Sequence, residues 1–208
     1  MGAFLLFLAI TLPVTLYLSQ QRQSTQSQAG ATTSLYLTPA TTTSNPVSKA
    51  VGQTVSFDVM VNPGNNLPSV IKLEITYDPT KLQANGASSF VANSTAFPQV
   101  IEGPLVLNGS IIATLSIGSD TTKAIATTTK VGTVTFTTKE ATTTTTEITI
   151  SNRTQVLSVA TADQATENVL SSKTPAFVTI TNTGSTTSPT TIPTTVPTAT
   201  PTAAQISP

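Results

Sequence analysis

Four charged side chains crowd one short stretch of a chain that is otherwise poor in charge. Lys72, Glu74, Asp78 and Lys81 flank or interrupt "LEITYDPTKL", Leu73 to Leu82, whereas only 9% of the 208 residues are charged and nine basic residues balance nine acidic ones. A carboxylate beside an ammonium can serve acid–base chemistry, hold a charged partner, or do no more than keep a strand face wet. The other carboxylates that could pair for glycoside hydrolysis, Glu102, Asp120, Glu140, Glu147, Asp163 and Glu167, sit at no recognisable spacing. The chain has no His and no Cys, which excludes Cys/His zinc sites, Cys nucleophiles and Ser-His-Asp triads. No loop of alternating Asp and Asn around a central Gly is present, so nothing calls for calcium, another metal or a cofactor. The expectation is therefore not an enzyme. Single, scattered Lys residues form no basic stripe, and nucleic acid is excluded as a partner.

Strands must position these charges. Threonine makes up roughly a fifth of the chain, and β-branched side chains suit a pleated surface. Val55, Phe57, Val59 and Val61 alternate with polar or flexible residues, the period of a half-buried strand. "NPGNNLP" follows as a loop, and then Leu73, Ile75 and Tyr77 point one way while Lys72, Glu74 and Thr76 point the other. Further runs begin at Ser110, Val131, Thr146, Gln155 and Ala176, with weaker ones at Ser34 and Ser88. About nine short strands and no amphipathic helix predict an all-β fold, an antiparallel sandwich with solvated outer faces. Asp78 and Pro79 end the second long strand, Asp by closing a turn and Pro by lacking a ladder donor, and Leu82 re-enters the core. Phe57, Phe136 and Phe177 are assigned to the core. With no Trp, and Tyr17, Tyr36 and Tyr77 as the only Tyr residues, aromatic platforms for sugar stacking are scarce.

The two ends differ from this middle. Residues 3–18 form one uncharged apolar run, so 1–19 reads as a signal peptide or a membrane anchor, with membrane contact if it stays uncleaved. Residues 20–34, rich in Gln, Ser and Thr, read as a polar tether. Residues 184–208 carry a Pro every few positions among Thr and read as a disordered tail or extended linker. The sandwich is assigned to 35–183, and the layout implies export to the extracellular side or the cell surface.

"VGQTVSFDVMVNPGNNLPSVIKLEITYDPTKL", Val51 to Leu82, resembles the opening of a cohesin domain, and "VGTVTFTTK" and "AFVTI" are similar to its later strands. The resemblance implies a nine-stranded jelly-roll sandwich related to carbohydrate-binding modules. It also implies a non-enzymatic role: cohesins bind dockerin modules and so assemble polysaccharide-degrading enzymes. In the family an Asn and an Asp that bond the partner often precede the Tyr of Tyr-Asp-Pro by seven and five residues; here Val70 and Lys72 stand there. An aliphatic group cannot replace an amide, and Lys only donates. The candidate binding surface is the exposed strand phase Lys72, Glu74 and Thr76, for a dockerin-type module or polysaccharide. The alternatives are a spacer or adhesin-type stalk with no dedicated ligand, and a carbohydrate-binding module.

Overall fold

The alternating β-branched runs fold as extended ladders. The computed structural model describes residues 31–159 and 168–182. The apolar N-terminal segment, most of the polar tether, the Thr/Pro-rich linker, Asp163 and Glu167 therefore lie outside the described residues. In chain order come β1 (Thr33–Thr38), β2 (Val47–Ala50), β3 (Thr54–Asn62), β4 (Pro68–Tyr77) and β5 (Leu82–Gln83). They are followed by β6 (Phe90–Ala92), β7 (Gln99–Leu107), β8 (Ser110–Ser116) and β9 (Thr129–Thr138). The last are β10 (Thr146–Ile150), β11 (Gln155–Ser158), β12 (Leu170–Thr174) and β13 (Ala176–Thr181). Two short 3-10 turns, Gly86–Ser89 and Thr121–Lys123, are the only helical pieces among the described residues.

Two sheets pack face to face. One runs β12-β1-β3-β9-β5, with β6 also on β9; the other runs β2-β13-β10-β4-β8-β7, with β11 also on β4. Most pairings are antiparallel, but β1 with β12 and β2 with β13 are parallel. The chain passes between sheets at short corners. Pro175 alone separates β12 from β13, and a residue without an N–H fits where one ladder ends and another begins.

All nine expected strands are present; β2, β5, β7 and β12 were not anticipated. The physical reasons differ. β5 is two residues long, β2 and β12 are short edge segments without apolar alternation, and β7 carries Gly103-Pro104 in its middle, a pair that reads as a break. As an edge strand β7 tolerates the missing donor, and its register against β8 slips on either side of Glu102. Gly103 is required there: its φ is +79°, and an added Cβ would lie 2.4 Å from the Ile112 carbonyl oxygen. β1 begins at Thr33, inside the stretch read as tether, because Thr33 is buried and donates to the Pro63 carbonyl at 2.9 Å.

The inward phases of both sheets meet in one apolar layer. Leu35, Val55, Phe57, Val59, Leu73, Ile75, Phe136, Ile148 and Val178 are buried, and the Tyr77 and Phe136 rings meet at 4.8 Å between centroids and 53° between planes. Phe57 and Phe136 are core residues as expected. Phe177 is not: Ala176, Val178 and Ile180 take the inward phase of β13, which turns Phe177 outward and leaves it half-buried. Among the described residues no buried side-chain nitrogen or oxygen lacks a partner.

Candidate functional site

β4 is a central strand, so its outward side chains sit in the middle of the outer face of the seven-stranded sheet. The register arranges that face in cross-strand rows. Gln99, Ser116, Val70 and Leu157 form the first; Glu102, Thr114, Lys72 and Gln155 the second. Leu105, Ile112 and Glu74 form the third, and Leu107, Ser110, Thr76 and Thr149 the fourth. The third and fourth rows are apolar at their β7 end. Leu105 and Leu107 are each 47% exposed beside half-buried Ile112, a contiguous apolar patch on a flat sheet and thus a candidate contact surface.

The three expected site residues share this face but differ in what they leave free. Lys72 is exposed, and among the described residues its ammonium has no ion-pair or hydrogen-bond partner. Glu74 was expected to be solvated; instead its side chain is only 12% exposed. The break between β10 and β11 wraps it: Ser151 donates its hydroxyl to Oε2 at 2.8 Å, and Arg153 Nη1 lies 3.8 Å from Oε1. Thr76 is half-buried and donates to the Thr149 carbonyl at 3.4 Å. Two of the three are therefore engaged internally, and Leu105, Leu107 and Ile112 add apolar surface that the strand pattern did not reveal.

The remaining carboxylates are dispersed. Glu102 accepts from Thr114 at 3.3 Å, Asp120 caps a 3-10 turn, Glu140 pairs with Lys81 at 2.8 Å, and Glu147 is exposed on β10. Among the described residues no group of three or more acidic side chains could hold a metal ion. Two open clefts of about 340 and 320 Å³ lie at the Tyr77–Pro79 and Thr142–Thr146 end of the sandwich. They are too open to bury a small molecule. The half-buried aromatics Tyr36 and Phe177 lie on the outer faces of opposite sheets, so the described residues build no strip of stacking rings.

The outline is a two-sheet sandwich whose seven-stranded sheet carries an exposed apolar patch. The cohesin-domain sequence profile matches residues 40–175, more than half of the chain. The chain belongs to the cohesin family. Cohesins are non-catalytic binding modules. No curated protein matches by sequence. Among solved structures, the cohesin CaCohA2 from Clostridium acetobutylicum is 18% identical, with 71% of this chain and 91% of that one covered at a TM-score of 0.53. A type I cohesin–dockerin complex from Clostridium thermocellum is 12% identical, with 72% and 94% covered at 0.54. A non-cellulosomal cohesin from the archaeon Archaeoglobus fulgidus is 12% identical, with 72% and 91% covered at 0.51. At such identities the likeness establishes the fold.

In this cohesin the Tyr-Asp-Pro segment is a structural turn. Asp78 Oδ1 accepts from the Thr80 hydroxyl at 2.7 Å and the Thr80 amide at 2.8 Å, and Leu82 returns to the core fully buried. Those two Thr80 bonds hold the Asp78 carboxyl below its ordinary value. Asp58 is also held low: partial burial opposes ionisation, but the Thr133 hydroxyl at 2.7 Å and the Lys130 ammonium at 2.8 Å outweigh it. A folded-state value below the unfolded one means stability that is complete above the ordinary Asp range, near about 3.9, and lost as pH falls through the lower folded values. The urea midpoint is thus expected to hold from pH 6 to about pH 4.5 and to drop below about pH 4. Asp58→Asn with Asp78→Asn should flatten that drop; an unchanged acid limb in the double variant would refute the assignment.

Proposed function

We infer that this cohesin is an exported, noncovalent docking module that holds a dockerin-type protein module on the outer face of its seven-stranded sheet. The observation that carries this reading is the apolar patch of exposed Leu105 and Leu107 with half-buried Ile112 on β7 and β8, diagonal to Lys72, which has no partner among the described residues. The lack of a strip of stacking rings among the described residues favours protein over polysaccharide as the direct ligand. The cohesin–dockerin complex from Clostridium thermocellum, with the same fold, supports a dockerin-type partner. In this reading residues 1–19 are a leader or membrane anchor and 184–208 a spacer, which places the sandwich at the cell surface or outside the cell.

The test is calorimetric titration of the chain with each dockerin-type module encoded in its own genome, followed by amide hydrogen exchange on any complex. Micromolar or tighter binding with protection confined to β4, β7 and β8 is the expected result. No binding by any module, or protection on the six-stranded sheet instead, would sink the reading.

A second reading has an observation of its own. The internal bonds of Glu74 and Thr76 are those of a face built for stability, as in a spacer domain without a ligand. It predicts that no module binds.

A further inference from the structure

We propose that Asn108 and Gly109, at the tip of the β7–β8 hairpin, form a self-modification site where the Asn108 side-chain amide is converted to a carboxylate, while the same dipeptide at Asn85 and Gly86 is protected by the fold. The site is independent of the docking reading above and is tested without a partner.

The chemistry needs an asparagine side chain free to turn back on its own chain, and a following backbone nitrogen open to attack its carbonyl carbon. A glycine after the asparagine leaves that nitrogen uncrowded, because it has no Cβ. Asn-Gly occurs twice in the sequence. In the first step the Gly109 nitrogen loses its proton and bonds to Asn108 Cγ, the bond from Cγ to Nδ2 breaks, and the amide leaves as ammonia. Water then opens the resulting cyclic imide at either carbonyl, giving Asp or isoaspartate. The sum consumes one water, releases one ammonia and needs no oxidant.

The fold sorts the two sites. Both asparagines are exposed, but Asn85 is tied down: its Nδ2 donates to the Thr137 hydroxyl on β9 at 2.8 Å, and its carbonyl accepts from the Ser88 hydroxyl at 2.9 Å. Reaction there must first give up the bond to Thr137, which costs free energy. At the hairpin tip nothing is given up. Among the described residues neither the Asn108 side chain nor the Gly109 N–H has a hydrogen-bond partner. Gly109 is anchored through its carbonyl, which accepts from the Tyr77 N–H at 3.0 Å, so the attacking nitrogen is held in place with its N–H open. Its φ of +89° favours glycine at that point. The product sets a negative charge beside Leu107, at the end of the fourth row of the face, on a chain whose formal net charge is zero.

The full chain is incubated at neutral and at alkaline pH, folded and in urea, and peptide mass spectrometry follows the single-dalton gain at each asparagine. In the folded chain Asn108 should convert at least fivefold faster than Asn85, and faster at alkaline pH, where the attacking nitrogen loses its proton more readily. In urea the two rates should fall within twofold of each other. Thr137→Val, which removes the acceptor and keeps the shape, should speed Asn85 at least threefold and leave Asn108 unchanged, whereas Thr137→Ser, which keeps the hydroxyl, should leave both at the wild-type rate. Equal rates in the folded chain, a faster Asn85, or no conversion at Asn108 would overturn the proposal. A preference that survives in urea, or an Asn85 rate unmoved by Thr137→Val, would overturn the assignment of that preference to the fold.

Discussion

Leu105→Asp is expected to lower the affinity for the proposed dockerin-type partner by about 100-fold, or roughly 2.8 kcal/mol. Leu105 stands opposite Ile112 and is 47% exposed on an edge strand, so a partner seated on the face must dehydrate whatever side chain is there. A carboxylate placed at that point loses its water and has Glu102 as its nearest acidic neighbour along β7, whereas leucine gains contact area. Because the leucine is already half in water, the folded chain alone should change by no more than about 0.5 kcal/mol. Calorimetric titration paired with urea denaturation separates the two effects. Tyr36→Ala, on the outer face of the opposite sheet, is the control and leaves affinity unchanged. If Leu105→Asp binds as wild type does, the β7 edge is not part of the interface.

Phe136→Ala destabilises the fold by about 3–5 kcal/mol, through lost transfer free energy and the cavity left behind. Its ring is fully buried on β9, opposite Val55 and against Tyr77. The net stability of a domain is only about 5–15 kcal/mol, so the loss should lower the melting temperature by roughly 10 °C or more. Phe177→Ala, which removes an outward and half-buried ring of the same size, is expected to cost under about 1 kcal/mol. Thermal melts of the two variants compare phases within one sandwich. Equal losses would contradict the alternation described for β13.

Much of the fold is legible because period two is written locally. The phases of β3 and β4 follow from Val55, Phe57, Val59, Leu73, Ile75 and Tyr77 without any partner strand, and all are buried. The Asp78 turn is equally local, since its bonds go to Thr80 two residues on. Phe177 is the exception to reading an aromatic as core: Ala176, Val178 and Ile180 share one phase and leave it on the other, so position in the alternation outranks aromatic character. β7 was obscured by Gly103-Pro104, which breaks an interior strand and is accommodated at an edge.

The candidate face was half legible. That Lys72, Glu74 and Thr76 share one side of a strand is a property of the strand, and the sequence by itself determined it, together with the all-β class and the family resemblance. What fills the spaces between them is not. Glu74 meets Ser151 and Arg153 across 77 and more residues of chain, and Leu105 comes beside Ile112 only through a register that slips around Glu102. Such contacts depend on which strands pair and where each ladder shifts. Alternation fixes the side of a sheet but not its neighbours, and only the tertiary structure decided which of the three residues remains free to meet a partner.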